Sequence, residues 1–476
     1  MRLNGFFKLL TVLFIINITA CSVDSITDRV SVSYSSDKLI DAATKPYSHF
    51  SVTPSMLNNY LILFSRDKKP EIIEPIIENG DTLAYYVEYA NNSGWSLIAA
   101  DTRTTPLLAG APSGSLASVN KNTKDFVLGL ASSVKDISSS KDDEKEVLIW
   151  SFLKKTRSIL TKNSLRENSK RGIAEGMWIP VDTVFAFDTV ASNRIISTKW
   201  GQEEPWCYYT PYDPYSPESL NIHCYVGCSP VAAGQILYRY LHLTSGLYNI
   251  PDSVYFSNKQ PHFFSFTSDW SNMAELSSNP NQQAKNKTAK FLSWVGNQMG
   301  TQYSRYGPSS TNDSSVINFL HNYLSFDVDT LSYNTVMSNL SLNIPVLVAA
   351  TSSTNYRHAF IIDSYVTISY QVVITYEFDP YYSVSEEDYL NYPSWMFEWP
   401  SPAQYPSYDP EKEPALMPIA TNLFTNNYWR INWGDDGAGD NIFFLPASSS
   451  SINWKHQYTT YTHVDYILHN FHRLNQ

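Results

Sequence analysis

The residue best placed for nucleophilic chemistry is a cysteine set directly after a glycine and two residues before a proline, in Tyr225-Val-Gly-Cys-Ser-Pro-Val-Ala-Ala-Gly-Gln. Behind it Ala233, Leu237 and Leu241 recur at four-residue spacing, the period of one buried helix face, so Cys228 is expected at a helix start. Pro230 suits a first helical turn because its missing N–H would have no intrahelical partner, and Gly227 lets another group approach the backbone closely. A thiol held there faces unpaired N–H groups and the positive end of the helix dipole. Both favour the thiolate, which is the nucleophile. The competing reading is a small buried hydrophobe, since free cysteine is among the most buried residue types.

A thiolate that does chemistry needs a partner to take and return protons, and histidine titrates near neutral pH. Of the 10 histidines, His358 has a distinctive setting: Pro345-Val-Leu-Val-Ala-Ala, a Thr/Ser/Asn turn, then Tyr356-Arg-His-Ala-Phe-Ile-Ile-Asp. This reads as strand, turn, strand, with the imidazole at the start of the second strand. Acyl transfer by a cysteine also needs a donor for the developing oxyanion and a group that orients the imidazole. Gln202, in Thr198-Lys-Trp-Gly-Gln, and the Cys228 backbone N–H are candidates for the first task. Asn432 or Trp433, in Ile431-Asn-Trp-Gly, is the candidate for the second.

The elements that must position these residues begin with a β-hairpin: Leu83-Ala-Tyr-Tyr-Val-Glu-Tyr, the turn Asn91-Asn-Ser-Gly, then Trp95-Ser-Leu-Ile-Ala-Ala-Asp. Lys121 to about Leu160 reads as helical. Thr161–Glu175 is polar and basic and reads as an exposed linker open to cleavage. From Trp178 the texture turns to strands and loops, broken by the helix behind Cys228 and another at about Thr288–Met299. A helix-rich first half followed by a strand-rich second half suggests an α+β fold. Phe378–Asn427, dense in Tyr, Pro, Trp and acidic residues, reads as a long surface insertion.

Composition narrows the setting. Hydrophobic residues make up 43% of the 476 and charged residues 17%, with 33 Tyr, 12 Trp and 23 Phe, a globular and aromatic-rich balance. Lys plus Arg number 34 against 45 Asp plus Glu, a net charge of −11 without a basic stripe, so no nucleic-acid partner is expected. Arg2 and Lys8 flank an apolar run from Phe6 to Ile18 that is shorter than a membrane span and reads as a signal-peptide core. Ile18-Thr19-Ala20-Cys21 resembles a bacterial lipobox, which implies cleavage before Cys21, lipidation of that cysteine and export to an outer membrane or cell surface, with a released form possible after processing. With Cys21 lipidated, Cys207, Cys224 and Cys228 remain. Cys207 and Cys224 are a candidate disulfide that leaves Cys228 free. No His/Cys/carboxylate cluster has metal-ligand spacing, so neither metal nor organic cofactor is expected.

The order Trp200-Gly201-Gln202, Gly227-Cys228 with Ala232, Ala233 and Gln235-Ile236, the Tyr303–Ser314 segment, Pro345-Val-Leu-Val, His358-Ala-Phe-Ile-Ile-Asp363 and Asn432-Trp433-Gly434 resembles the streptopain family of papain-like cysteine peptidases. Gly94-Trp95, Ala99-Ala100-Asp101-Thr102-Arg103 and Pro106-Leu107-Leu108 resemble the inhibitory pro-segment of that family. The resemblance implies a papain-like α+β fold: a helical lobe and a twisted antiparallel sheet lobe, preceded by a small α+β pro-domain. Cys228 is then the nucleophile, His358 the general base and acid, Gln202 the oxyanion donor, and Asn432 or Trp433 the group that orients or shields the histidine. The implied division is a signal peptide at 1–20, a tether at 21–45, a pro-domain at 46–160, a linker with a processing site at 161–177 and a peptidase domain at 178–476 carrying the 378–427 insertion. The implied partners are protein or peptide substrates, the chain's own pro-segment as inhibitor, and a membrane through the lipid anchor. The chain departs from the family at Arg357 and Ser364, where glycines are common, and at Asp435-Asp436 after the Trp-Gly pair. Arg357 is expected to crowd the cleft or to select acidic side chains. Two other readings stand beside the peptidase: a catalytically silent surface binding protein that recognises its partner through the aromatic insertion, and cysteine acyl transfer on a non-protein substrate.

Overall fold

The computed structural model describes residues 50–118, 177–242, 273–352, 357–379, 416–446, 451–456 and 459–474, less single positions within those spans, and a few helical residues between 127 and 153. The signal peptide, Cys21, the tether and the 161–176 linker lie outside the described residues.

Among the described residues the first helix, α1 (Pro54–Phe64), is started by Thr53, whose side chain accepts the Met56 N–H, and by a proline in its first turn. Met56, Leu57, Tyr60, Leu61 and Phe64 recur at helical spacing and are buried. Four antiparallel strands follow: β1 (Pro70–Glu78), β2 (Asp81–Tyr89), β3 (Trp95–Ala99) and β4 (Leu107–Ala111). The hairpin expected from the sequence is β2–β3, with Glu88 opposite Trp95. Its turn needs left-handed backbone at Asn91, Asn92 and Gly94. At Gly94 a Cβ would lie 2.1 Å from the Ala111 carbonyl oxygen, which excludes any larger residue.

The rest of the chain supplies β5 (Met177–Ala191), α2 (Cys228–Leu241), α3 (Gln282–Gln298), α4 (Asp313–His321), β6 (Leu324–Asp329), α5 (Tyr333–Ser341), β7 (Val346–Ser352), β8 (Arg357–Asp379), β9 (Leu416–Asn432), β10 (Phe443–Phe444), β11 (Ser451–His456) and β12 (Thr459–Arg473). One sheet runs β1-β2-β3-β4-β10-β9-β8-β7-β12-β11, with β5 added on β8 and β6 on β12. The fold is thus helices packed on an antiparallel sheet, as expected. The division into a helix-rich first half and a strand-rich second half does not hold among the described residues. Strands β1–β5 precede residue 192, where the described helical residues are α1 and those between 127 and 153, while α2–α5 fall between 228 and 341. The stretch read as an insertion also contains strand: β9 begins at Leu416 and pairs with β8 from Glu377 onward, while 380–415 lie outside the described residues.

Strand alternation divides the interior. Leu347, Ala359 and Ile361 join the core of α2 and α3, with Ala233, Leu237, Phe291 and Leu292. Their neighbours Val346, Val348, Phe360 and Ile362 face the other way and share a core with Leu97, Ala109 and Leu130 of the N-terminal region and with Trp429 and Trp433. A third core joins α1 and Trp150 to Tyr370 and Tyr428, where the Tyr60 and Tyr370 hydroxyls lie 2.8 Å apart and Tyr428 donates to the Leu107 carbonyl at 3.1 Å. The N-terminal region is therefore built into the sheet that carries His358.

Candidate active site

Cys228 is the first residue of α2, and Gly227 is its cap. Gly227 sits at φ 96 and ψ 145, a backbone conformation reserved in practice for glycine, with Ser309 3.2 Å from where its Cβ would be. The 303–309 segment is stitched to this loop: Tyr225 N–H donates to Ser304 O at 3.0 Å, and the Ser309 hydroxyl donates to Tyr225 O at 2.6 Å. Val226 N–H donates to Gln202 O at 3.0 Å, which sets half-buried Gln202 beside the Gly227–Cys228 turn.

His358 is the second residue of β8, opposite Ala350 of β7, and is buried. Its imidazole lies beside the Cys228 thiol, as do the Ala359 backbone N–H and the Ser229 side chain. Burial works against ionisation of Cys228. Hydrogen bonding and charge from His358, with smaller help from Ala359 and Ser229, outweigh it and hold the thiol below its ordinary pKa. The other two described cysteines go the opposite way. Burial raises Cys207 to about 12 and Cys224 to about 11. The candidate disulfide between them is not formed: both are buried free thiols, with the Thr210 hydroxyl 2.9 Å from the Cys207 carbonyl and 2.5 Å from that of Cys224.

The Trp433 ring stacks on the imidazole, centroids 6.2 Å apart and planes 14° off parallel, and packs on Phe360 at 5.1 Å. At 3% exposure, Trp433 closes the side of the imidazole that it covers. Asn432 is engaged elsewhere. Its Nδ2 donates to the Thr198 carbonyl at 2.9 Å and to Gln235 Oε1 at 3.1 Å, while its Oδ1 accepts from Gln235 Nε2 and from the Gly434 N–H, both at 3.1 Å. Of the two candidates for the imidazole's neighbour, it is the Trp433 ring that lies against it. Gly434, at φ 67, passes so close to α2 that a Cβ would meet Val231 at 3.0 Å.

Arg357 does not present a free cation to the cleft. It pairs with Asp313 at the start of α4 and, at 3.0 Å, with Asp465 of β12, which also accepts from Thr351 at 2.5 Å. With two carboxylates on one guanidinium, the expected selection of acidic side chains has no basis here. Asp436, after the Trp-Gly pair, accepts from Trp206 Nε1 at 3.2 Å, and its backbone N–H would sit 3.0 Å from a Cβ on Gly201. The acidic departure thus packs on the loop that carries Gln202.

Sequence reasoning missed the residues behind these. Arg194 pairs at 3.0 Å with Asp363, five residues beyond His358 on β8, and lies 3.6 Å from Asp440 in the loop after Trp433. Gln235 was noticed only as part of a motif. Its position seven residues after Cys228, two helical turns along an otherwise apolar face, is the signal that would have singled it out.

A half-buried thiol beside a buried imidazole, with the sulfur at a helix start and the ring on a sheet strand under an indole, is an arrangement chemically able to carry thiol-dependent acyl transfer. The family match agrees: residues 200–377, spanning Gln202, Cys228 and His358, match the Peptidase C10 family. Among solved structures, a mutant fragment of Prevotella intermedia prointerpain A aligns at 14% identity and a TM-score of 0.43, covering 84% of this chain and 98% of that one. Active wild-type Prevotella intermedia interpain A, a cysteine protease, aligns at 15% identity and a TM-score of 0.35, covering 59% and 94%. No curated protein matches the chain.

Proposed function

We propose that this chain is a cysteine endopeptidase, made as an exported, lipid-anchored zymogen and acting on protein or peptide substrates. The observation that carries the reading is Cys228 at a helix start, beside His358 and held by it below its ordinary pKa. In the proposed reaction the thiolate attacks the scissile carbonyl carbon. The Gln202 side chain and the Cys228 backbone N–H stabilise the oxyanion that forms. Protonated His358 gives its proton to the departing amine as the C–N bond breaks, leaving a thioester. His358 then takes a proton from water, the resulting hydroxide attacks the thioester, and the carbon–sulfur bond breaks to release the acid and restore the thiolate beside protonated His358. Support for Gln202 is its main-chain tie to Val226, and support for Trp433 as the shield of the imidazole is its stacking.

The N-terminal region is proposed to be the intramolecular inhibitor and 161–177 the processing segment. What supports this is the resemblance of the Gly94–Leu108 motifs and the polar composition of that segment. The lipid anchor rests on the Cys21 sequence context. The test is to treat processed protein with a peptidyl thiol-directed inhibitor, map the modified residue and assay Cys228→Ala. Labelling at Cys228 with loss of proteolysis in the variant is expected. A parent protein that is not labelled there, or a variant that retains full proteolysis, overturns the proposal and leaves the silent binding scaffold as the better reading. Fatty-acid labelling that survives Cys21→Ser would overturn the anchor.

A further inference from the structure

We infer that Gln235 is a positioning residue for the reaction proposed above, setting the strand end that carries Trp433, and with it His358, in register with the helix that presents Cys228. The inference rests on that reading. Gln235 and Asn432 form a reciprocal amide pair: Gln235 Nε2 donates to Asn432 Oδ1 and Asn432 Nδ2 donates to Gln235 Oε1, both at 3.1 Å. The pair is closed by Thr198, whose hydroxyl donates to Gln235 Oε1 at 2.9 Å and whose carbonyl accepts from Asn432 at 2.9 Å. All three residues are at most 2% exposed.

Each residue comes from a different part of the site. Gln235 lies two turns along α2 from Cys228, Thr198 leads into Gln202, and Asn432 precedes the indole that stacks on His358. Asn432 Oδ1 also accepts the Gly434 N–H at 3.1 Å, closing a turn around Trp433. The amide plane of Gln235 therefore fixes the side chain that fixes that turn. Both acceptors and both donors of Asn432 are used, so a shift of the Trp433 turn along α2 would strand a buried polar group. An apolar residue at 235 would fill the space but could not hold Asn432 in one position.

The test uses the processed enzyme. Gln235→Met keeps length and burial and removes the amide. It is expected to lower kcat by about 10- to 100-fold with KM changed by less than about 2-fold, since geometry and not ground-state binding is lost. The second readout is the pH dependence of Cys228 alkylation by iodoacetamide. The wild-type thiol should react well below its ordinary range, and in Gln235→Met the profile should move up towards an unperturbed thiol, about 8.5. Gln235→Glu, when ionised, keeps the acceptors and loses the donation to Asn432. Once protonated it regains a donor, so its activity relative to wild type should recover as pH falls. Thr198→Val, which removes one donated bond, should shift the alkylation profile the same way by less, and serves if the position-235 variants do not fold. A Gln235→Met enzyme that loses thermal stability but keeps wild-type kcat and alkylation profile overturns the inference, as does a Gln235→Glu enzyme without acid recovery or a Thr198→Val enzyme with an unmoved profile. A wild-type Cys228 with an ordinary alkylation profile would instead overturn the thiolate reading beneath it.

Discussion

Replacing Arg194 by methionine tests how the site is held together, through a loss of stability that must grow with pH. Arg194 bridges two buried carboxylates, Asp363 at 3.0 Å and Asp440 at 3.6 Å, and donates to the Asp440 carbonyl at 2.6 Å and the Ile431 carbonyl at 3.4 Å. Asp363 is fully buried, and its Oδ1 meets no hydrogen-bond partner among the described residues. Burial raises its pKa to about 7 against the lowering influence of Arg194, with Asp440 adding to the rise. Asp440 is likewise raised by burial, to about 6, against Arg194 and Lys199. A native pKa above the unfolded value means that the native state binds the extra proton. The stability these two groups contribute is therefore greatest at acid pH and is lost as pH rises from the ordinary carboxylate range to about 7.

Removing the guanidinium takes away the main influence opposing that rise, so in the variant the fall continues above 7. At about pH 5.5 the cost of Arg194→Met is its lost hydrogen bonds, about 1–3 kcal/mol. Each pH unit over which the wild-type Asp363 is ionised and the variant's is not adds about 1.4 kcal/mol, so about 2 kcal/mol more is expected at about pH 8.5. Asp440 contributes with the same sign from about one unit lower. Urea unfolding at the two pH values measures the difference. A loss equal at both, or larger at the acid end, refutes the reasoning. Adding Asp363→Asn should remove most of the pH-dependent part.

Two further outcomes follow from the geometry. Gly227→Ala forces a side chain into a glycine-only conformation against Ser309, so it should cost about 1–3 kcal/mol in unfolding free energy and slow Cys228 alkylation, whereas Gly300→Ala, where a Cβ meets nothing within 4 Å, should leave alkylation unchanged. Trp433→Ala removes a buried indole from the shared core and should cost about 3–5 kcal/mol, with kcat falling more than KM rises; an unchanged kcat in folded protein would mean that the indole does not serve the imidazole.

Much of the site was legible because its signals are local. The helix behind Cys228 announced itself by Gly227, Pro230 and apolar spacing, and it starts at the residue expected. His358 was visible as a histidine opening an apolar strand, and the β2–β3 hairpin as two apolar runs around Asn91–Gly94. Arg357 was misread because its charge was visible and its partners, Asp313 and Asp465, were not. They come from α4 and β12, far away in the chain. Whether Cys207 and Cys224 pair was open in the sequence for a related reason: spacing can bring two cysteines near each other without aligning their sulfurs, and here both stay free.

By itself the sequence determined which chemistry is available: a thiol at a helix start, an imidazole on a strand, amides and an indole in a fixed order. Those facts depend on residue type and on periodicities of a few residues, which the backbone enforces locally. Tertiary structure alone decided which of Asn432 and Trp433 meets the imidazole, that Gln235 holds the other, and that Arg194 ties the strand of His358 to the loop after Trp433. These contacts join residues more than 150 positions apart, or depend on how a strand end turns against a helix. Side-chain direction there is set by packing and by the need to satisfy every buried polar group, and neither is written in any short stretch of chain.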